Sequence, residues 1–263
     1  MSIFRDDVLA GKVAYVTGGG SGICKGIAEA FMAHGADVAI VGRKADRLTA
    51  AAEELEKTHP GRRALPCPAD VREPEAVEAS LDRAITTLGP IDLVVNGAAG
   101  NFLSPASQLS YNGFRTVIAI DTLGTFNVSR AAFDKSLRDR GGVILNISAT
   151  LHYGATPLQV HASSAKAAVD AMTRSLALEW SSLGIRVNGI APGPIAETEG
   201  MTRLAPKDMT DEMQKQIPIG RFGRIDEVAS AAVFLASEGA SLITGATLVV
   251  DGGACLMGMP FRL

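Results

Sequence analysis

The stretch Thr17-Gly18-Gly19-Gly20-Ser21-Gly22-Ile23-Cys24 carries the first chemical suggestion. It follows the short apolar run Val13 to Val16 and opens a segment whose apolar residues recur at helical spacing, through Ile27, Phe31 and Met32. Gly18, Gly20 and Gly22 permit a tight turn and the close approach of a pyrophosphate. The backbone amides of Ser21, Gly22 and Ile23 then point out of a helix N-terminus, where negative charge is favoured. A glycine-rich turn alone is weak evidence. On the first strand-to-helix turn of an alternating chain it predicts a dinucleotide cradle. The second apolar run ends in Val41-Gly42-Arg43-Lys44. An acid there would hold the ribose 2′-hydroxyl of NAD, whereas Arg accommodates the 2′-phosphate of NADP. Two cations stand at that place, and the planar Arg fork suits phosphate. NADPH is the expected cofactor, with Arg43 and Lys44 as its phosphate ligands.

The elements that must position these residues alternate in type. Strands are expected over 13–16, 37–41, 64–68, 91–95, 142–148, 185–191 and 247–250. Helices are expected over 23–34, 45–57, 73–88, 114–138, 162–183 and 226–236. Strands separated by helices of this length imply βαβ units and a parallel sheet. Their continuous Val, Ile and Leu imply burial on both faces. The expectation is a single α/β domain over 1–263, a Rossmann-type doubly wound parallel sheet with helices on both faces. Pro192 to Gln216 is the one long irregular stretch, and 196–216 is expected to act as a substrate loop or lid.

Composition narrows the function classes. The 263 residues are 47% hydrophobic and 20% charged, with a formal net charge of -3. That apolar fraction can fill a core. The absence of a basic excess argues against a nucleic-acid partner. Three cysteines, Cys24, Cys67 and Cys255, are too few and odd for a disulfide scaffold and fit a reducing interior. No apolar run reaches the roughly 18 residues of a membrane span, and Arg5, Asp6 and Asp7 interrupt any signal-peptide core. No metal site is expected. The terminal Phe261-Arg262-Leu263 keeps the basic-then-Leu half of a peroxisomal Ser-Lys-Leu address.

The chain resembles the short-chain dehydrogenase/reductase family over nearly its whole length. The turn at 17–24 looks like that family's Thr-Gly-x-x-x-Gly-x-Gly element, with Cys24 where the third glycine usually lets helix and strand pack closely. A larger residue there should shift the helix slightly. Cys24 itself is expected to be a buried small hydrophobe rather than a reactive thiol. Asp70-Val71 looks like the adenine contact. Asn96-Gly97-Ala98-Ala99-Gly100 looks like the Asn-Asn-Ala-Gly element, with Gly97 in place of the second Asn. Pro192-Gly193-Pro194-Ile195, followed by Thr198, looks like the segment that lines the nicotinamide. Lys166 falls at the family lysine, which hydrogen-bonds the nicotinamide ribose. Ser148 falls near the end of the fifth strand, where the family's catalytic serine region lies.

One departure redirects the chemistry. The family's carbonyl reductases use Tyr-x-x-x-Lys, the tyrosine protonating a nascent alkoxide. Here that stretch is Ala162-Ser163-Ser164-Ala165-Lys166, and Ala162 has no proton to give. Tyr153 lies 13 positions ahead of Lys166 and is expected to be a surface or packing residue. Asn101-Phe102, Ile120-Asp121-Thr122 and Val160-His161-Ala162 resemble the branch that lacks the tyrosine, the peroxisomal 2,4-dienoyl-CoA reductases. The mitochondrial members place a tyrosine where this chain has Leu151, so that route looks closed. The resemblance implies hydride addition at C5 of a dienoyl thioester, charge flow to the thioester oxygen and protonation at C2, giving a 3-enoyl-CoA. Lys166 would stabilise the negative charge. Asp121 would serve the proton route through a water held with Lys166. An ionised carboxylate cannot donate, so Asp121 either holds a proton or orients that water.

The substrate contacts expected from the same resemblance and from loop position are Arg43, Arg72, Phe102, Ser110, Tyr111, Asn112 and Ser148. Ligands of open α/β sheets bind outside the carboxyl ends of the strands, where these loops lie. Two alternatives stand beside the dienoyl reductase: another acyl-thioester reductase of the same family, and a noncatalytic cofactor-binding relative. The resemblance also implies a homotetramer or homodimer, with the Ala/Leu-rich helix from Lys166 to Leu183 able to bury a subunit face, and a peroxisomal location; otherwise the location is cytoplasmic.

Overall fold

In this computed structural model the buried strands send apolar side chains to both sides of one sheet, and the alternation along each strand sorts them into two cores. Residues 3–198, 200–201 and 214–257 are described. The strands are β1 (Val13–Thr17), β2 (Asp37–Gly42), β3 (Ala64–Pro68), β4 (Leu93–Asn96), β5 (Gly142–Ile147), β6 (Ile185–Pro192) and β7 (Thr247–Val250). They form one seven-stranded parallel sheet in the order β3-β2-β1-β4-β5-β6-β7. The order reverses between β1 and β4, and the crevice at that switch point is where a doubly wound sheet binds its ligand.

Three helices cover one face: α1 (Gly22–Ala33), α2 (Ala45–Thr58) and α7 (Ile225–Ala236). Their Ile27, Phe31, Leu48, Leu55, Val228 and Val233 meet Ala14, Val16, Val38, Ile40, Val95 and Leu145 of the strands. The other face takes α3 (Pro74–Leu88), α5 (Gly124–Ala132) and α6 (Val160–Trp180). There Val77, Leu81, Val128 and Trp180 meet Tyr15, Ala39, Val41, Val94 and Ile144. Neighbouring residues of one strand thus enter opposite cores, as the period of two requires. The doubly wound sheet with helices on both faces is the architecture anticipated from the sequence.

The long helix expected over 114–138 is found with a different build. It begins as α4 (Tyr111–Val117), because the Ser110 side chain caps it by accepting from the Gly113 N–H at 3.0 Å. It then widens into a π turn over Ile118–Leu123, continues as α5 and widens again over Phe133–Leu137. Similarly, α6 starts at Val160 rather than Ala162, and β5 ends at Ile147, one residue short of Ser148. Most of the expected 196–216 loop, and the terminal tripeptide 261–263, lie outside the described residues.

Candidate active site

The glycine turn is shaped as a phosphate cradle. Gly18 and Gly22 have φ of 74° and 55°, in the left-handed region that disfavours other residues. A Cβ at Gly18 would press on the Gly97 carbonyl oxygen at 2.8 Å, whereas a Cβ at Gly22 would meet nothing within 4 Å. One glycine is therefore needed for packing against the end of β4, and the other leaves open space. Ser21 is the N-cap of α1 but makes no side-chain cap, and the first turn holds no acid. The N–H groups of that turn are not claimed by a capping side chain, which fits a phosphate ligand. Thr17 ties the turn to β4. Its hydroxyl donates to the Val95 carbonyl at 3.2 Å and accepts from Gly97 N–H at 2.9 Å and Ala98 N–H at 3.2 Å.

The cradle opens into a cavity of about 250 Å³ lined by Gly18, Gly20, Ser21, Arg43, Lys44, Asp70, Val71 and Ala98. Arg47, Leu48, Ala99 and Ile120 line it as well and were not anticipated. Arg47 could have been found: it lies four residues after Arg43, one turn into the helix that follows the cationic strand end. The cavity walls thus bring three cations together. Asp70 is engaged by Arg72 through a 2.6 Å ion pair and a second hydrogen bond at 3.0 Å. That guanidinium holds the Asp70 carboxyl below the usual range.

Cys24 explains Gly97. The thiol is buried, and a Cβ added at position 97 would lie 2.1 Å from its sulfur. The sulfur therefore occupies the space that a side chain at 97 would need, so the two departures from the family pattern are one packing arrangement. Burial pushes the Cys24 thiol up to about 12, with the Lys166 charge acting the other way, so it is not a poised nucleophile.

At the carboxyl ends of β4 and β5 lies a buried ion pair. Asp121 sits on the first π turn and is 1% exposed. One of its oxygens accepts from the Gly100 N–H at 2.7 Å, and the other is 3.1 Å from Lys166 Nζ. Lys166 Nζ also donates to the Ile147 carbonyl at 2.9 Å. The pair links the loop after β4, the π turn, the end of β5 and α6. π turns inside helices often occur at functional sites, and here the widened turn carries Asp121.

Asn96 is buried, and its amide donates to Ser129 Oγ and to Asn146 Oδ1, each at 2.9 Å; Asn146 in turn bonds Thr173. Its side chain therefore braces the frame behind the site and does not line the cavity. Ile195 is a core residue, leaving only its backbone to a ligand. A Cβ at Gly193 would overlap Asp251 at 2.6 Å, and Gly193 N–H bonds the Val250 carbonyl, so this glycine lets the Pro192-Gly193 segment pass the end of β7. Thr198 turns the chain by donating to the Ile195 carbonyl. Phe102 stacks on His161. Ser148 is buried, and its hydroxyl has no partner among the described residues. Tyr111 is 94% exposed; Ser110 is spent as a cap, and Asn112 is exposed beside them. Arg72 is committed to Asp70 rather than to the cavity wall.

Position 162 is a buried alanine. Tyr153 does not replace the absent tyrosine. Its hydroxyl donates to Asp170 at 3.2 Å, and Asp170 also meets His152 Nε2 at 2.9 Å. Burial, and then the Asp170 charge, push the Tyr153 phenol up to about 12. Among the described residues, no cluster of His, Cys, Asp and Glu could hold a metal ion, and no helix is long and apolar enough to cross a membrane.

The comparisons with known proteins identify the family. The family model described as enoyl-(acyl carrier protein) reductase matches residues 18–255. A solved citronellol catabolism dehydrogenase from Pseudomonas aeruginosa PAO1 superposes with a TM-score of 0.85 at 36% identity, covering 97% of this chain and 99% of that one. The chain belongs to the short-chain dehydrogenase/reductase family. Among curated members of this family, a peroxisomal 2,4-dienoyl-CoA reductase, (3E)-enoyl-CoA-producing, from Danio rerio is 51% identical over 255 residues, 97% of this chain and 85% of that protein. One of the same name from Rattus norvegicus is 53% identical over 253 residues, 96% of this chain and 86% of that protein. This short-chain dehydrogenase/reductase accordingly takes a nicotinamide cofactor, and the cradle, the open Gly22 and the uncapped helix N-terminus fit one.

Proposed function

We propose that this chain reduces 2,4-dienoyl-CoA to 3-enoyl-CoA at the expense of NADPH. The observation that carries the proposal is Ala162 beside an intact Asp121–Lys166 pair: the alkoxide-protonating tyrosine is gone, and a buried carboxylate–ammonium pair remains. The names of the relatives, which specify a (3E)-enoyl product, support it. When bound, the nicotinamide supplies a hydride to C5 of the conjugated chain. The C4–C5 π electrons then move to C3–C4, those of C2–C3 move to C1–C2, and the thioester oxygen becomes anionic. Lys166 stabilises that charge through space in a site from which water is largely excluded. A water oriented by Asp121 and Lys166 protonates C2, with the net proton drawn from solvent. The loops bearing Phe102 and Ser148 follow the carboxyl ends of β4 and β5, which supports an acyl position there.

The deciding experiment follows loss of the dienoyl chromophore in purified protein with NADPH and a 2,4-dienoyl-CoA, with NADH and a 3-oxoacyl-CoA in parallel. Turnover of the dienoyl-CoA with NADPH, yielding the 3-enoyl product, is expected. Turnover of the 3-oxoacyl-CoA alone would favour another thioester reductase. Cofactor binding without turnover of either would favour a noncatalytic relative.

The NADPH preference rests on Arg43, Lys44 and Arg47 at the cavity. A charge-assisted phosphate contact contributes roughly 1.5–3 kcal/mol, about ten- to a hundred-fold in affinity. Arg43→Ala is therefore expected to raise the Kd for NADPH by about that factor while leaving NADH little changed, as measured by cofactor titration. Equal losses for both cofactors would remove Arg43 from 2′-phosphate recognition.

The proposed assembly is a homo-oligomer. Leu178 on α6 is 82% exposed, and Leu123 and Phe126 near the start of α5 are 53% and 46% exposed, so both helices present apolar side chains to solvent. Leu178→Glu is expected to lower the sedimenting mass; an unchanged mass would place the interface elsewhere. The proposed location is the peroxisome, as the names of the relatives suggest. Deleting 261–263 is expected to leave activity intact and the protein cytosolic.

A further inference from the structure

His161 is completely buried on the first turn of α6, five residues before Lys166 and next to Ala162. Neither of its ring nitrogens has a hydrogen-bond partner among the described residues. Its ring lies against Phe102, centroids 4.3 Å apart and planes 25° from parallel. Phe102 is the outer member of the stack and is 38% exposed. The loop that carries Phe102 is fastened at both sides. Gly100 N–H is held by Asp121, Asn101 Nδ2 donates to Gln159 Oε1 at 2.6 Å, and Ser104 N–H bonds the Leu158 carbonyl at 2.9 Å. Leu158 is itself held at a φ of 65°, which a branched side chain rarely adopts. Asn101 Oδ1 on the same loop and Ser148 Oγ just past β5 are also buried without a partner among the described residues.

Burying a polar group without a hydrogen bond is costly, whereas burying an aromatic ring in the same place is not. Stacking on Phe102 would be served as well by a phenyl ring. The imidazole nitrogens are therefore what the stack does not explain. We propose that His161 is a substrate-contacting residue covered by Phe102. The acyl thioester displaces the Phe102 ring, and the uncovered imidazole donates an N–H hydrogen bond to the thioester carbonyl oxygen. No proton is transferred in this contact. The hydrogen bond strengthens as the oxygen gains charge, which adds His161 to Lys166 in stabilising the enolate. A ligand that supplies an acceptor to these nitrogens binds the open form better and so favours it. This inference rests on the site being an acyl-thioester reductase.

His161→Phe tests it, because the stack is kept and the nitrogens are lost. The variant is expected to melt at the same temperature as the wild type or higher, and to keep its NADPH affinity. It should raise the KM for a 2,4-dienoyl-CoA and lower kcat/KM about ten-fold or more. His161→Gln, which keeps an N–H donor, should recover part of that loss. A variant with Phe at 161 that turns over like the wild type would overturn the contact. Imidazole ¹⁵N spectra provide a readout independent of activity, since the chain has 4 histidines and the His161 signals are identified by their loss in the variant. These signals should move when dienoyl-CoA is added to the NADP⁺-loaded protein, and not with NADP⁺ alone. Signals that stay fixed would also overturn it. If the wild type itself leaves dienoyl-CoA unreacted and unbound, the functional proposal fails first, and the two failures are told apart.

Discussion

Asp121→Asn is expected to lower kcat by about two to three orders of magnitude while leaving the NADPH Kd nearly unchanged. Loss of one preorganised electrostatic group or one acid–base group typically costs this much. Asparagine preserves the shape and leaves an oxygen for the Gly100 N–H, so the loop after β4 stays anchored. What it removes is the charge 3.1 Å from Lys166 Nζ and the second oxygen that would orient a water. Asp121→Ala should lose as much activity but is the poorer test. It leaves the buried Lys166 with the Ile147 carbonyl as its remaining partner among the described residues, and breaking a buried pair costs roughly 3–5 kcal/mol. That is a large share of the roughly 5–15 kcal/mol that holds a domain folded. The measurement is steady-state turnover of dienoyl-CoA together with cofactor titration and a melting curve for each variant. Full turnover by the Asn variant would remove Asp121 from the proton route. A parallel fall in cofactor affinity would make its role the positioning of Lys166 against the ribose.

What could be read from the sequence is what local pattern determines. Continuous Val, Ile and Leu runs announced strands buried on both faces, and Val38, Ala39, Ile40 and Val41 do enter the two cores alternately. Gly18 and Gly22 announced the cradle because a left-handed φ after the first strand has few other uses. Three features were hidden for physical reasons. The π turn that carries Asp121 has no compositional signature, since the same apolar spacing suits an α-helix. The Asp70–Arg72 pair needs only a local turn to form, so Arg72 looked like a free cation in the sequence while its charge is engaged in the fold. Asn96 was legible as a residue at the end of the fourth strand, but the bracing of its amide nitrogen by Ser129 and Asn146, 33 and 50 positions away, was not. Such contacts depend on which strands become neighbours, and no local pattern carries that.

Gly97→Ala is expected to produce the second large effect, and Cys24→Gly is expected to relieve part of it. A Cβ at 97 would lie 2.1 Å from the Cys24 sulfur, 3.1 Å from the Thr17 carbonyl oxygen and 3.3 Å from Ile147 Cγ1. The first distance cannot be tolerated, and the sulfur has little freedom because α1 packs it inward. Overpacking of this kind costs about 1–3 kcal/mol. It also displaces Gly97 and Ala98, whose N–H groups hold Thr17 and through it the cradle, so NADPH should bind more weakly as the protein loses stability. Cys24→Gly alone leaves a hole and adds a helical glycine, which costs about 1 kcal/mol by itself. In the double variant the hole receives the new methyl group. The double variant should therefore melt above Gly97→Ala and bind NADPH more tightly than it does. The recovery stays partial, because the Thr17 and Ile147 contacts remain tight. Four melting curves and four cofactor titrations close the cycle, with a coupling of about 0.5–3 kcal/mol expected for residues in contact. Additive losses would mean that the two positions do not sense one another. The glycine at 97 would then need a separate cause, and the cysteine at 24 would again stand as an uncompensated departure from the cradle.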